Sequence, residues 1–112
     1  MYIFGQPVLR KQAETIDPQA YPSLGELIQN MIETLKRSEG VGLAAPQVGL
    51  PIRMCIIDLD CISDDKPEYK GYIHACINPE IVEVSDETCT MEEGCLSIPG
   101  IHENVKRPER IH

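Results

Sequence analysis

Residues 23–40 read SLGELIQNMIETLKRSEG, and this stretch decides the fold class. Leu24, Leu27, Ile28, Met31, Ile32 and Leu35 recur at helical spacing and lay one apolar stripe along a helix. Ser23 followed three residues later by Glu26 has the form of a capping box. Lys36 and Arg37 fall in the last turn, where positive charge favours the helix dipole, and Gly40 reads as the stop. Upstream, residues 1–22 look irregular, broken by Pro7, Pro18 and Pro22. Downstream the periodicity changes. Ile52 to Leu59 (IRMCIIDL) reads as a strand, and residues 60–71 as a polar, acidic loop. Tyr72 to Val84 reads as two short strand pieces interrupted by Pro79. Thr88–Met91 and Leu96–Ile98 read as strands flanking Gly94, with a further strand near Val105. One helix followed by several short strands predicts an α+β fold with antiparallel sheets around the helix. The 112 residues suit a single domain, 1–112.

Composition narrows the function. Apolar residues make up 42% and aromatics only 4%, so Ile, Leu, Val and Met must build the core. With 18 acidic against 10 basic residues the formal charge is -8, which argues against nucleic acid as a partner. The one basic cluster, Lys106, Arg107 and Arg110, is short and contains Glu109, as a solvated tail would. The longest apolar run, Met54 to Ile57, is too short to span a bilayer, and no secretory leader is evident. The five cysteines are odd in number and form no Cys-x-x-Cys pair. They read as reduced thiols of a cytoplasmic protein, most of them small apolar filler.

Two segments carry chemistry. Gly40-Val41-Gly42-Leu43-Ala44-Ala45-Pro46-Gln47 is glycine-rich but lacks the Gly-Lys-Ser/Thr ending of a phosphate loop. By itself it reads as a helix stop and a turn. Gln47 adds an amide donor beside backbone that small residues leave open to a ligand. In Glu92-Glu93-Gly94-Cys95-Leu96-Ser97-Ile98-Pro99-Gly100, Gly94 strips bulk from beside a cysteine in a polar context. That thiol suits a metal ligand or a nucleophile, against the plainer reading of a β-bend with an incidental cysteine.

Together, Gly40–Gln47 and Glu93–Ser97 resemble the first two signature motifs of the peptide deformylases, Gly-x-Gly-Leu-Ala-Ala-x-Gln and Glu-Gly-Cys-Leu-Ser, in the same order and at a fitting separation. Gly5 to Arg10 also resembles the family's opening, so the likeness covers the whole chain. The resemblance implies a metallohydrolase that removes the formyl group from N-formylmethionyl peptides, on nascent chains at the ribosome. It implies Cys95 as a ligand to one divalent ion, ferrous iron first, with zinc, nickel or cobalt as alternatives. Gln47 and the backbone N–H of Leu96 would stabilise the oxyanion. Val41, Gly42 and Gly94 would bind the peptide, and Glu93 would support the architecture.

The family's third motif, His-Glu-x-x-His on a later helix, is absent. His102-Glu103 is followed by Lys106 where the second histidine would stand, so His102 reads as an exposed turn histidine. The remaining expectations are a domain lacking the C-terminal metal-binding helix, an exposed apolar face, marginal folding and no activity from residues 1–112 alone. The rival readings are a cysteine hydrolase with Cys95 as nucleophile, and an inactive deformylase-like module that binds peptide N-termini.

Overall fold

The computed structural model describes residues 1–112. Its only α-helix, α1 (Leu24–Arg37), packs against a three-stranded antiparallel sheet of β1 (Gly42–Ala44), β2 (Met54–Asp58) and β3 (Ile73–Ile77) in the order β1-β2-β3. A second sheet is one long hairpin, β4 (Thr88–Cys95) and β5 (Ile98–Pro108). The α+β class and the antiparallel pairing follow the sequence reading.

The core lies between α1 and the first sheet. Met31 and Leu35 come from the helix, Leu43 and Ala45 from β1 and its end, and Met54 and Ile56 from β2. Strand β2 alternates buried and half-buried positions along its length, the period-2 signature of a sheet with one face on the core. Only eight residues of 112 are buried, and none lies in β4 or β5. The hairpin therefore stands away from the core with Met91 and Ile101 exposed, and Ile81, Val82 and Ile111 are open beside it. The radius of gyration, 14.8 Å, accordingly exceeds the roughly 13 Å of a compact domain this long.

Several local expectations are corrected. Ser23 sits in the left-handed region (φ 59°) with no side-chain hydrogen bond to the helix, so the capping box is not made. A cap hydroxyl reaches the free N–H groups from extended backbone, which Ser23 does not adopt. The left-handed residue after the helix is Glu39 (φ 58°), not Gly40. Gly40 is needed for space: a Cβ there would lie 2.7 Å from Leu96 Cδ1 and 3.2 Å from Leu35 Cδ1.

Of the two strand pieces over 72–84, only the first forms. Asn78 (φ 52°) turns the chain at its end. The Asn78 amide accepts the Ile16 N–H at 2.9 Å and donates to the Ile16 carbonyl at 2.7 Å, tying down the N-terminal segment. Val84 keeps only an isolated bridge to Ile111. Strand β4 runs through Gly94 to Cys95, so Leu96 and Ser97 are the hairpin's two-residue turn rather than the start of a strand. Strand β5 is eleven residues long, and Gly100 (φ 77°) lies inside it.

Leu35 is fully buried at the centre of this thin core. Leu35→Ala is expected to lower stability by about 2–5 kcal/mol through lost burial and the cavity left behind, measured as a reduced urea midpoint at constant m-value.

Candidate active site

The two motif segments meet in a cleft of about 620 Å³ between β1 and the hairpin turn. Gln47 lies in a short 3₁₀ turn, Ala45–Val48, that follows β1 directly. Its side chain is oriented by division of labour. Oε1 accepts the Ala44 backbone N–H at 2.9 Å, so Nε2 faces across the cleft. There Nε2 donates to the hydroxyl of buried Ser97 at 3.1 Å and lies 3.8 Å from the Cys95 sulfur. Cys95 is exposed and sits at a register shift where the hairpin narrows into its turn, paired with Ile98. The Leu96 N–H, next in sequence, donates to no protein acceptor. An amide donor, a backbone donor and a thiol thus converge on one end of the cleft.

The N-terminal segment, read from sequence as irregular, ties the two motifs together. The Tyr2 N–H donates to the Gln47 carbonyl and the Phe4 N–H to the Ser97 carbonyl, both at 2.7 Å. The Tyr2 ring covers Gly49 so closely that a Cβ there would lie 2.9 Å from it.

The phase of each ladder shows which backbone groups remain open. Asp58 donates to the Val41 carbonyl, which makes Val41–Asp58 a hydrogen-bonded pair. By alternation, Leu43–Ile56 is bonded and Gly42–Ile57 is not, so the N–H and C=O of Gly42 point away from β2 to the free edge of the sheet. The same count from Glu87–Glu109 makes Gly94–His102 a non-bonded pair, and the polar backbone of Gly94 also faces outward. Val41, Gly42 and Gly94 all line the cleft, which therefore offers unpaired strand edge on both walls.

His102 is not in a turn. It lies in β5 opposite Gly94, and its ring packs over that glycine: a Cβ at Gly94 would fall 2.6 Å from His102 Cδ2. It lines the cleft that holds Cys95. The missed signal was the period-2 count outward from a Leu96–Ser97 turn, obscured by the register shift at Cys95. His74 stacks on Tyr72 with ring centroids 4.2 Å apart, and His112 bonds through its backbone to Glu83. No three His, Cys, Asp or Glu side chains converge anywhere in residues 1–112. These residues alone therefore do not make up a catalytic ion site of three protein ligands.

Glu93 turns its carboxylate across the hairpin to Arg107, with contacts of 2.5 and 2.8 Å. The hydrogen bond from Arg107, with its charge, holds the Glu93 carboxyl below the ordinary range and raises Arg107. This brace lies beside Gly94 and Cys95 and fixes the strand that presents them.

The backbone as a whole is that of the peptide deformylases. It superposes on the crystal structure of the Thermotoga maritima peptide deformylase with a TM-score of 0.85 at 41% identity, covering 99% of this chain and 68% of that one. The Synechococcus elongatus enzyme gives a TM-score of 0.86 at 33% identity over 99% of this chain and 57% of that one. The family model for polypeptide deformylase matches residues 1–112. Among sequence relatives, the peptide deformylases of Salinibacter ruber and Flavobacterium johnsoniae are 45% and 48% identical. These alignments cover 99% and 96% of this chain and 58% of each relative. The chain belongs to the polypeptide deformylase family, and it spans just under three-fifths of the length of those two relatives.

Because Glu93 is depressed in the folded state, its pairing stabilises the fold above the ordinary glutamate pKa and the contribution is lost as pH falls through the lowered value. Glu93→Gln is therefore expected to reduce stability at neutral pH and to flatten the acid limb of the stability–pH profile. Thermal melts of both proteins from pH 7 to pH 3 should converge toward the acid end.

Proposed function

We propose that residues 1–112 form the substrate-binding and thiol-bearing part of a peptide deformylase, a hydrolase that removes the N-formyl group from N-formylmethionyl peptides on nascent chains at the ribosome in the cytoplasm. The observation that carries this reading is the Gln47 amide. Anchored through Oε1, it presents Nε2 to the space beside Cys95, where the Leu96 N–H is also free.

The free edges at Gly42 and Gly94 suit an extended peptide, whose backbone would add as a strand between the two walls. The peptide's formyl end would then lie near Cys95. As charge builds on the formyl oxygen, the Gln47 amide and the Leu96 N–H would donate to it from preset positions, without reorganising. Glu93 acts through the hairpin brace and stays out of the reaction.

A divalent ion, ferrous iron in the first instance or zinc, nickel or cobalt, would supply a water that ionises near neutral pH. Cys95 would be one ligand to it. Residues 1–112 bring no three such donors together, so the ion's own steps lie outside what these residues do. The greater length of the relatives agrees with donors carried by a further segment. A cysteine-hydrolase reading is disfavoured because the polar side chain that reaches the Cys95 sulfur is an amide, which cannot take its proton.

In the full natural polypeptide, Gln47→Ala is expected to lower kcat for formate release from a formyl-Met peptide by about 10²–10³-fold, the usual cost of one oxyanion donor. Cys95→Ser should strip the bound ion, read by elemental analysis, and abolish turnover. Residues 1–112 alone should release no formate. Full kcat in Gln47→Ala, or turnover by the isolated fragment, would overturn the proposal. Peptide binding without turnover in the full polypeptide would point to an inactive binding module.

A further inference from the structure

Cys55 and Cys76 stand directly opposite each other on β2 and β3. The Asn78 N–H donates to the Arg53 carbonyl, which sets the phase of this ladder. Counting two residues on, Cys55–Cys76 is a hydrogen-bonded pair with both side chains on the same face of the sheet. That face is turned away from the core. Strand β2 buries Met54, Ile56 and Asp58 on one side and leaves Cys55 and Ile57 half-buried on the other. Neither cysteine belongs to the cleft that holds Cys95.

The surroundings limit what this pair can do. His74 shares the face but stacks on Tyr72. No third His, Cys, Asp or Glu joins the two sulfurs, so a four-ligand zinc site is excluded. A direct disulfide is also a poor fit. Opposed Cβ atoms stand about 4.5–5.5 Å apart, at the wide end for hydrogen-bonded pairs, whereas a disulfide wants about 3.5–4.5 Å. A single atom bridging the two sulfurs spans the wider gap. Burial, and next the neighbouring Cys76, push the Cys55 thiol up, in keeping with two sulfurs held close in a partly dry site.

We propose that Cys55 and Cys76 form a two-sulfur site for copper(I), a soft ion that thiolates select. Each thiol gives its proton to solvent, two sulfur–copper bonds form, and the ion stays monovalent, so no electron is transferred. The resulting bis-thiolate carries one net negative charge. It would rivet β2, the central strand of the first sheet, to β3.

The test is residue-resolved alkylation of the folded full natural polypeptide under anaerobic conditions. Iodoacetamide labelling is mapped by mass spectrometry with and without one equivalent of copper(I), supplied as its acetonitrile complex. Labelling of Cys55 and Cys76 is expected to fall together by at least tenfold and to return when a copper(I) chelator is added. Cys55→Ala should release Cys76 from protection, and Cys76→Ala should release Cys55. Cys61→Ala should leave the protection intact. Undiminished labelling of both in the wild-type protein would overturn the site, as would protection of Cys76 that survives Cys55→Ala. Failure of both thiols to label even without copper would also overturn it, since no ion could then reach them.

Discussion

One side-chain amide joins the two halves of this structure. Gln47 accepts from the backbone of β1 with its oxygen and donates to the hairpin turn with its nitrogen. Its neighbours could rotate or shift singly, but the amide has two unlike ends and can satisfy both partners in only one orientation. The Ala44 N–H fixes the oxygen end, because Ala44, like Gly42, forms a non-bonded pair with β2 and turns its N–H to the free edge of the sheet. The nitrogen end is thereby committed to Ser97 and Cys95. Serine at 97 serves the same end: its buried hydroxyl accepts from the amide, which a methyl group in its place could not do. The N-terminal strap repeats this join in backbone form, with Tyr2 on one motif and Phe4 on the other. Three separate stretches of sequence therefore hold one site, and the hairpin depends on those ties because its own strands contribute no buried residue to the core.

Glycine has a spatial rather than a conformational role at the two places where the cleft is tightest. Gly40 lets Leu35 and Leu96 close over the end of the helix, which brings the hairpin turn down onto the core. Gly94 leaves the space beside β4 that the His102 ring occupies. Neither has the positive φ that would make glycine necessary on backbone grounds. Both motifs thus carry glycines because side chains from elsewhere occupy the volume a Cβ would need.

What the sequence disclosed follows from range. The apolar stripe of α1, the alternation in β2 and the breakers between them are local, and each survives in the structure with boundaries shifted by a residue or two. The capping box failed although it too is local, because the backbone at Ser23 turns left-handed just after Pro22 and its side chain makes no cap hydrogen bond. The hairpin was only partly legible. Pro99 and Gly100 look like breakers, and although both lie in β5 they fall in its register shift, where no β4 residue pairs with them and Gly100 keeps a positive φ. The position of His102 depends on register across a bulge, and the strap from Tyr2 and Phe4 on contacts far apart in sequence. Neither has a periodic signature. The motifs singled out Gln47 and Cys95 as candidates, and the structure brings the two together, but how they are linked was not legible, since that geometry is tertiary.

The thin core and the open cleft have a common origin in β1. A strand of only three residues cannot bury much, and it leaves one edge of its sheet unpaired. An exposed strand edge invites pairing with any extended chain, and proteins usually blunt it. Here the edge carries Gly42, which offers no side chain to obstruct an approaching strand, and Gly94 faces the same cleft from the other wall. Any chain entering to pair with the edge must do so between two walls, and at one end of that passage lie the Gln47 amide and the Cys95 sulfur. The shortness of β1 weakens the fold, but it also makes the edge long enough only for a few residues of an extended peptide. Such an arrangement would read backbone shape and end position more than sequence.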